Sequence, residues 1–190
     1  MKQALVAITF SLAAAAQTGV IDRVAVVVGN QVITESEVLL EVRLAAFLNG
    51  QPLDLSAAPR RAAAERLVDQ QLIRNEMQVG GYAMPAESEG DAVLRSFRQA
   101  TYPNTPAFRA VLEKYGLTED EVKRHLLWQA AALRFTDQRF RAAVAPPASQ
   151  SADRSTDADS AKDTVEDEMD VWLKQARTST RIQFKKGAFQ

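Results

Sequence analysis

A chain of 190 residues, 46% of them hydrophobic, is long enough for one globular domain with an appendage. Its 23 basic and 24 acidic residues nearly cancel, which argues against a nucleic-acid footprint or an electrostatic clamp on a membrane. The absence of cysteine rules out thiolate catalysis, zinc–cysteine sites, disulfide staples and a lipidated cysteine.

In chain order, Lys2 precedes the short apolar run "ALVAITFSLAAAA", and Ala14 and Ala16 are small residues at −3 and −1 of a cleavage point before Gln17. Residues 1–16 are therefore expected to be a secretory signal peptide. The run is too short to cross a bilayer comfortably, which takes about 20 residues. No second apolar run follows, so the expectation is a soluble exported protein with no stable membrane insertion after cleavage.

"DRVAVVVGNQVIT" reads as a β-hairpin turning at Gly29-Asn30, with Val26 facing Ile33 and Val27 facing Val32. Thr34 and Glu37 then form a capping box, with Ile33 and Val38 as a hydrophobic staple, for a first helix reaching about Leu48. A second helix is predicted from about Pro59, with Ala64, Val68, Leu72 and Val79 along one stripe and Leu67 beside it, ending at Gly80-Gly81. The third, "AESEGDAVLRSFRQA", is weakened by Gly90, which costs about 1 kcal/mol in a helix interior. After "TYPN", Thr105 is expected to cap a short helix with Pro106 first, ending at Gly116. Thr118 and Glu121 form a second capping box, stapled by Leu117 and Val122. They open a long helix reaching about Val144, with Val122, Leu126, Ala130 and Leu133 on one face.

Residues 145–163, "APPASQSADRSTDADSAKD", hold nothing larger and more apolar than alanine or proline, and read as a solvated linker. Beyond it Thr164 is expected to cap a final helix with the stripe Val165, Met169, Trp172, Leu173 and Ala176. Its first turn is acidic (Glu166, Asp167, Glu168) and its end basic (Lys174, Arg177). "TRIQFK" then alternates as a half-buried strand, Ile182 and Phe184 on one face. A lone hairpin is marginal in water, and this is the one other strand candidate. The fold expected is mostly α, a multi-helix body with a small antiparallel sheet made by the N-terminal hairpin and the C-terminal strand. Residues 17–144 and 164–190 then form one domain around the 145–163 linker.

In combination these segments resemble the SurA-type periplasmic chaperones, whose peptide-binding core is related to a domain of trigger factor. "IDRVAVVVGNQVITESEV" looks like the family's opening and "ERLVDQQLI" like its second helix. "FRAVLEKYGLTEDEVKRHL" resembles the stretch through its fourth and fifth helices, and "VEDEMDVWLKQARTSTRIQF" its closing helix and strand. The family normally carries one or two parvulin-type prolyl isomerase domains, each of about 100 residues, where this chain has its linker. Their sites use paired histidines, and this chain has one histidine in all. The resemblance implies a non-enzymatic, ATP-independent chaperone core in the periplasm, without cofactors. Its partners would be unfolded exported polypeptides, with outer-membrane β-barrel precursors as the implied clients. The alternative is a dedicated accessory or assembly partner of one exported protein.

Candidate chemistry is sparse. His125 in "VKRHLL" has no second histidine, no cysteine and no H-E-x-x-H spacing beside it, so neither metal binding nor catalysis is read there. Glu119, Asp120 and Glu121 suit a helix start and form no distinctive acid–base pair. Met77, Tyr82, Met84, Phe97, Tyr102 and Phe108 gather where the helix signals are weakest. They read either as ordinary core or as a promiscuous apolar peptide-binding groove, since methionine and aromatic surfaces repack around many ligands. Trp128 and Trp172 read as core.

Overall fold

The computed structural model describes residues 22–102, 104–141 and 156–189. The predicted signal segment 1–16, residues 142–144 at the predicted end of the long helix and residues 145–155 of the predicted linker lie outside them.

Strands β1 (Val24–Val28) and β2 (Gln31–Thr34) pair antiparallel, with Val26 opposite Ile33 and Val27 opposite Val32. Gly29 opens the turn at φ 61°, a conformation that a side chain disfavours. The register slips between Val24 and Val26, so Ala25 is an extra residue in β1. The C-terminal strand β3 (Ile182–Phe184) lies antiparallel on the other side of β1, giving the order β2-β1-β3. Hydrogen bonds from Gly29 N–H to the Arg181 carbonyl and from Lys185 N–H to the Ala25 carbonyl, both 2.8 Å, fasten its two ends. The two ends of the described fold thus meet in one sheet.

Helix α1 (Glu35–Leu48) starts from the expected box: Glu37 N–H donates to the Thr34 hydroxyl, and Thr34 N–H donates to the Glu37 carboxylate at 2.7 Å. Helix α2 (Ala57–Val79) begins two residues before Pro59, after Ser56. Ala64, Val68 and Leu72 are buried as predicted, but Val79 is 87% exposed because the helix outruns the core before it ends. Helix α3 (Glu87–Thr101) carries Gly90 for a reason of space. A Cβ there would stand 3.1 Å from Lys123 Cγ, so the glycine lets α3 press against α5 (Glu119–Thr136). In α4 (Thr105–Tyr115) the N-cap is Asn104 rather than Thr105, which becomes the first helical residue.

The long helix is also corrected. α5 stops at Thr136 and passes into a π-helical turn, Asp137–Arg141. That turn brings Phe140 onto Phe135 and Trp172, with ring centroids 6.1 and 6.3 Å apart. The buried residues of α5 are Val122 and Leu126, then Trp128, Ala131 and Phe135, while Leu133 is 70% exposed. The last helix, α6 (Thr156–Ser179), starts eight residues before Thr164, inside the predicted linker, so Glu166–Glu168 are not its first turn. Its predicted stripe holds: Val165 is buried, and Met169, Trp172, Leu173 and Ala176 pack against the core. Arg177 clamps α6 to α2, donating to Asp69 at 2.6 Å and to the Glu65 carboxylate at 2.9 Å. Those two carboxylates hold its guanidinium pKa above the ordinary value.

Candidate functional site

Helix α5 packs along α3, and α1 packs along α2. α5 meets that pair through Val122 and Leu126, which share a buried cluster with Leu44, and through Trp128 and Phe135, which share one with Ile73 and Met77. Between the three helices the surface opens into a groove of two joined clefts. One, of about 540 Å³, runs from Ala45, Leu48 and Asn49 at the end of α1 to Ala132, Leu133 and Thr136 on α5. The other, of about 270 Å³, continues past Leu40 and Leu44 toward Glu121 and Arg124. Glu41, Gln70, His125 and Trp128 line both. The walls are largely aliphatic and indole surface, set with amides and with the charged Glu37, Glu41, Arg66, Arg74, Glu121 and Arg124, and the exposed Leu133 lines the larger cleft. That is the composition of a site that takes apolar chain segments and offers hydrogen bonds to the backbone between them.

At the junction of the clefts lies the one buried charged side chain among the described residues, Glu41, 5% exposed. Helix α1 places it between Val38 and Val42, which face the sheet, and Leu44, which packs toward α4 and α5, so the helix cannot bury both apolar sides without burying this carboxylate too. Arg66 of α2 donates to its Oε1 at 2.9 Å and remains half exposed at its own tip. His125 of α5 brings Nδ1 to 3.8 Å from its Oε2, too far for a hydrogen bond. The other ring nitrogen, Nε2, is 3.2 Å from the Gln129 amide nitrogen. Donor and acceptor in that contact follow the tautomer of the ring, and the contact holds the imidazole in place along α5. Burial lowers the pKa of His125 below its ordinary 6.5; Glu41 pulls it up, while Arg66 and Arg74 push it down. Arg74 also lies 4.3 Å over the Trp128 ring, which fixes the indole as one wall.

The groove holds three carboxylates (Glu37, Glu41 and Glu121) and an imidazole but no activated nucleophile. Thr136, the one hydroxyl lining the larger cleft, donates to the Ala132 carbonyl at 3.0 Å. Among the described residues no three His, Asp or Glu side chains come close enough to hold a metal ion. No described helix is long and apolar enough to cross a membrane.

The six aromatic and methionine candidates lie elsewhere, and the structure does not bring them together. Phe97, Tyr102 and Phe108 surround Phe47, at centroid distances of 5.9, 6.0 and 6.3 Å, and Phe108 is fully buried. Tyr115 completes that cluster and donates to the Gln51 carbonyl at 2.8 Å. Desolvation there raises the pKa of Tyr102. Met77 and Tyr82 belong to a second cluster under Phe135, with Tyr82 edge-on to that ring at 5.0 Å. Met84 is exposed and packs in neither. Of the other five, Met77 and Phe108 are buried, while Tyr82, Phe97 and Tyr102 are partly buried against the two clusters. Trp128 is buried as expected, and Trp172 packs between the sheet-side and α5-side clusters.

Sequence reasoning passed over the groove because its residues come one at a time from three helices. Two signals were present. Glu41 sits on the apolar side of α1, and Leu133 continues the Val122–Leu126 stripe of α5 past the point where the end of α1 can cover it. The chain matches no protein-family model, and comparison with curated proteins gives no match.

Proposed function

We propose that this protein is an ATP-independent chaperone of the exported compartment, which binds unfolded polypeptides and has no isomerase activity of its own. The observation that carries the reading is the groove between α5 and the α1–α2 pair: largely apolar walls, spaced amides and an exposed leucine lining the larger cleft. Its two clefts suit a few consecutive side chains of an extended segment. Reversible burial there would yield about 25 cal/mol per Å² of apolar surface, enough to delay aggregation and small enough to permit release. The closure of the sheet by β3 after the interrupted stretch also supports the reading, since the SurA-type resemblance implies that return of the chain.

Outer-membrane β-barrel precursors are the clients the resemblance suggests. The test is aggregation of an urea-unfolded β-barrel, diluted into buffer with and without the purified protein. Suppression at near-stoichiometric ratios without nucleotide is expected, together with no acceleration of proline-limited refolding. A photo-crosslinker replacing Leu133 should capture the client, and one replacing Val171 on the outer face of α6 should not. Failure to suppress aggregation, with a single folded protein captured at position 133, would establish the dedicated-partner alternative instead.

A further inference from the structure

We propose that client binding in this groove is coupled to loss of a proton from His125, so that clients are held at neutral pH and released in mild acid. The inference rests on the groove being the client site. His125 stands where the two clefts join, its side chain 11% exposed, and that remaining exposure is toward the groove. The charges around it come from every side of the groove: Glu37 and Glu41 from α1, Arg66 and Arg74 from α2, and Glu121 and Arg124 from α5 itself. Glu89 and Asp91 of α3 are engaged by Arg134 and Lys123, which lie on the opposite face of α5 from His125. One carboxylate therefore favours the imidazolium at close range. It is already bonded to Arg66 and lies beyond hydrogen-bond distance from the ring.

An apolar segment laid into the groove removes the last water from the ring and supplies no new charge. That change penalises the imidazolium and leaves the neutral imidazole nearly untouched, so it must lower the pKa of His125 further. Linkage then fixes the sign. A ligand that lowers a group's pKa binds the protonated form more weakly by the same factor, tenfold for each unit of displacement. Affinity is full above the pKa of the free protein, declines as pH falls through it, and levels off below the pKa of the complex. Burial already holds the free-protein value down, so the decline lies on the acid side of 6.5.

Because the chain has a single histidine, its imidazole C2 proton gives one NMR signal to titrate once any affinity tag is removed. The probe is a short, apolar, histidine-free peptide carrying a rhodamine label, with affinity read by fluorescence anisotropy from about pH 7.5 to 5.5. Saturating peptide should move the His125 titration to lower pH. Affinity should fall severalfold across the range in the natural protein and stay level in His125→Gln, which keeps an amide able to bond Gln129. A His125 titration unmoved by peptide, or the same slope in His125→Gln, overturns the coupling. Absence of binding at the neutral end overturns the client-site reading and the coupling with it.

Discussion

Helices α1 and α2 each turn one face to the sheet and another to the groove, and the two faces are built from different residues. Toward the sheet they present Val38, Val42, Ala63, Ala64, Val68 and Leu72, closed over by Trp172, Ala176, Ile182 and Phe184 from the far end of the chain. Among the described residues no charge is buried there. Toward the groove the same helices present Glu41, Arg66, Gln70 and Arg74, facing His125 and Trp128 of α5. A dry face gains stability from every atom it covers, whereas a buried carboxylate must be desolvated and is seldom repaid in full by its partner. The sheet side therefore holds the molecule together, and the groove side gives up stability to keep an open surface.

The harshest way to break this comparison is to remove the sheet side's cover. A chain ending at Arg141 loses α6 and β3, and with them the burial of Val165, Trp172, Ile182 and Phe184. Such side chains are worth roughly 1.5–3 kcal/mol each, against a total stability of about 5–15 kcal/mol. Circular dichroism should record loss of the cooperative thermal transition. An undiminished, cooperative melt would mean that β1 and α2 do not need the chain's end.

A second test separates core aromatics from exposed ones. Phe108→Ala empties a fully buried site and should cost about 3–5 kcal/mol in urea unfolding. Met84→Ala, at an exposed position, should change stability by less than about 0.5 kcal/mol. A mild effect of Phe108→Ala would return that residue to the list of groove candidates.

Much of this fold is legible in the sequence because its signals are local. Both capping boxes, the Gly29 turn and the pairing of Val26 with Ile33 follow from residues within a few positions of each other. The return of Ile182–Phe184 to β1 is non-local, yet it follows from a simple need, since a lone hairpin is not stable and one other strand candidate exists. The misjudged details have tertiary causes. Leu133 keeps its helical phase but loses its cover where α1 ends, and Gly90 reads as a weakness until Lys123 is packed against it. Composition leaves Phe97, Tyr102 and Phe108 open between core and groove, because it marks aromatics without saying which of them will gather round Phe47. The groove itself is a space between three helices, and periodicity within one helix does not report a space.

The finest test sharpens the comparison at Glu41. Replacing a partner of a buried ion pair is usually destabilising, because the other charge is stranded. Here the other charge is Arg66, whose side chain is 46% exposed and can turn to water. Glu41→Leu should therefore leave the urea midpoint unchanged or raise it, while making the groove more apolar. The substitution also removes the one group that raises the pKa of His125 through its charge, so the histidine must titrate at lower pH. Its folded-state pKa already lies below the unfolded 6.5. The fold thus prefers the neutral ring: its share of stability is full above 6.5 and is lost as pH falls from 6.5 to the folded value. In Glu41→Leu that loss should still begin near 6.5 but continue to lower pH and become larger, and the acid release of bound peptide should move to lower pH. Melts and anisotropy titrations over matched pH series read both shifts. A large loss of stability at neutral pH, or a titration displaced toward alkaline pH, would mean that Glu41 serves the core and not the groove.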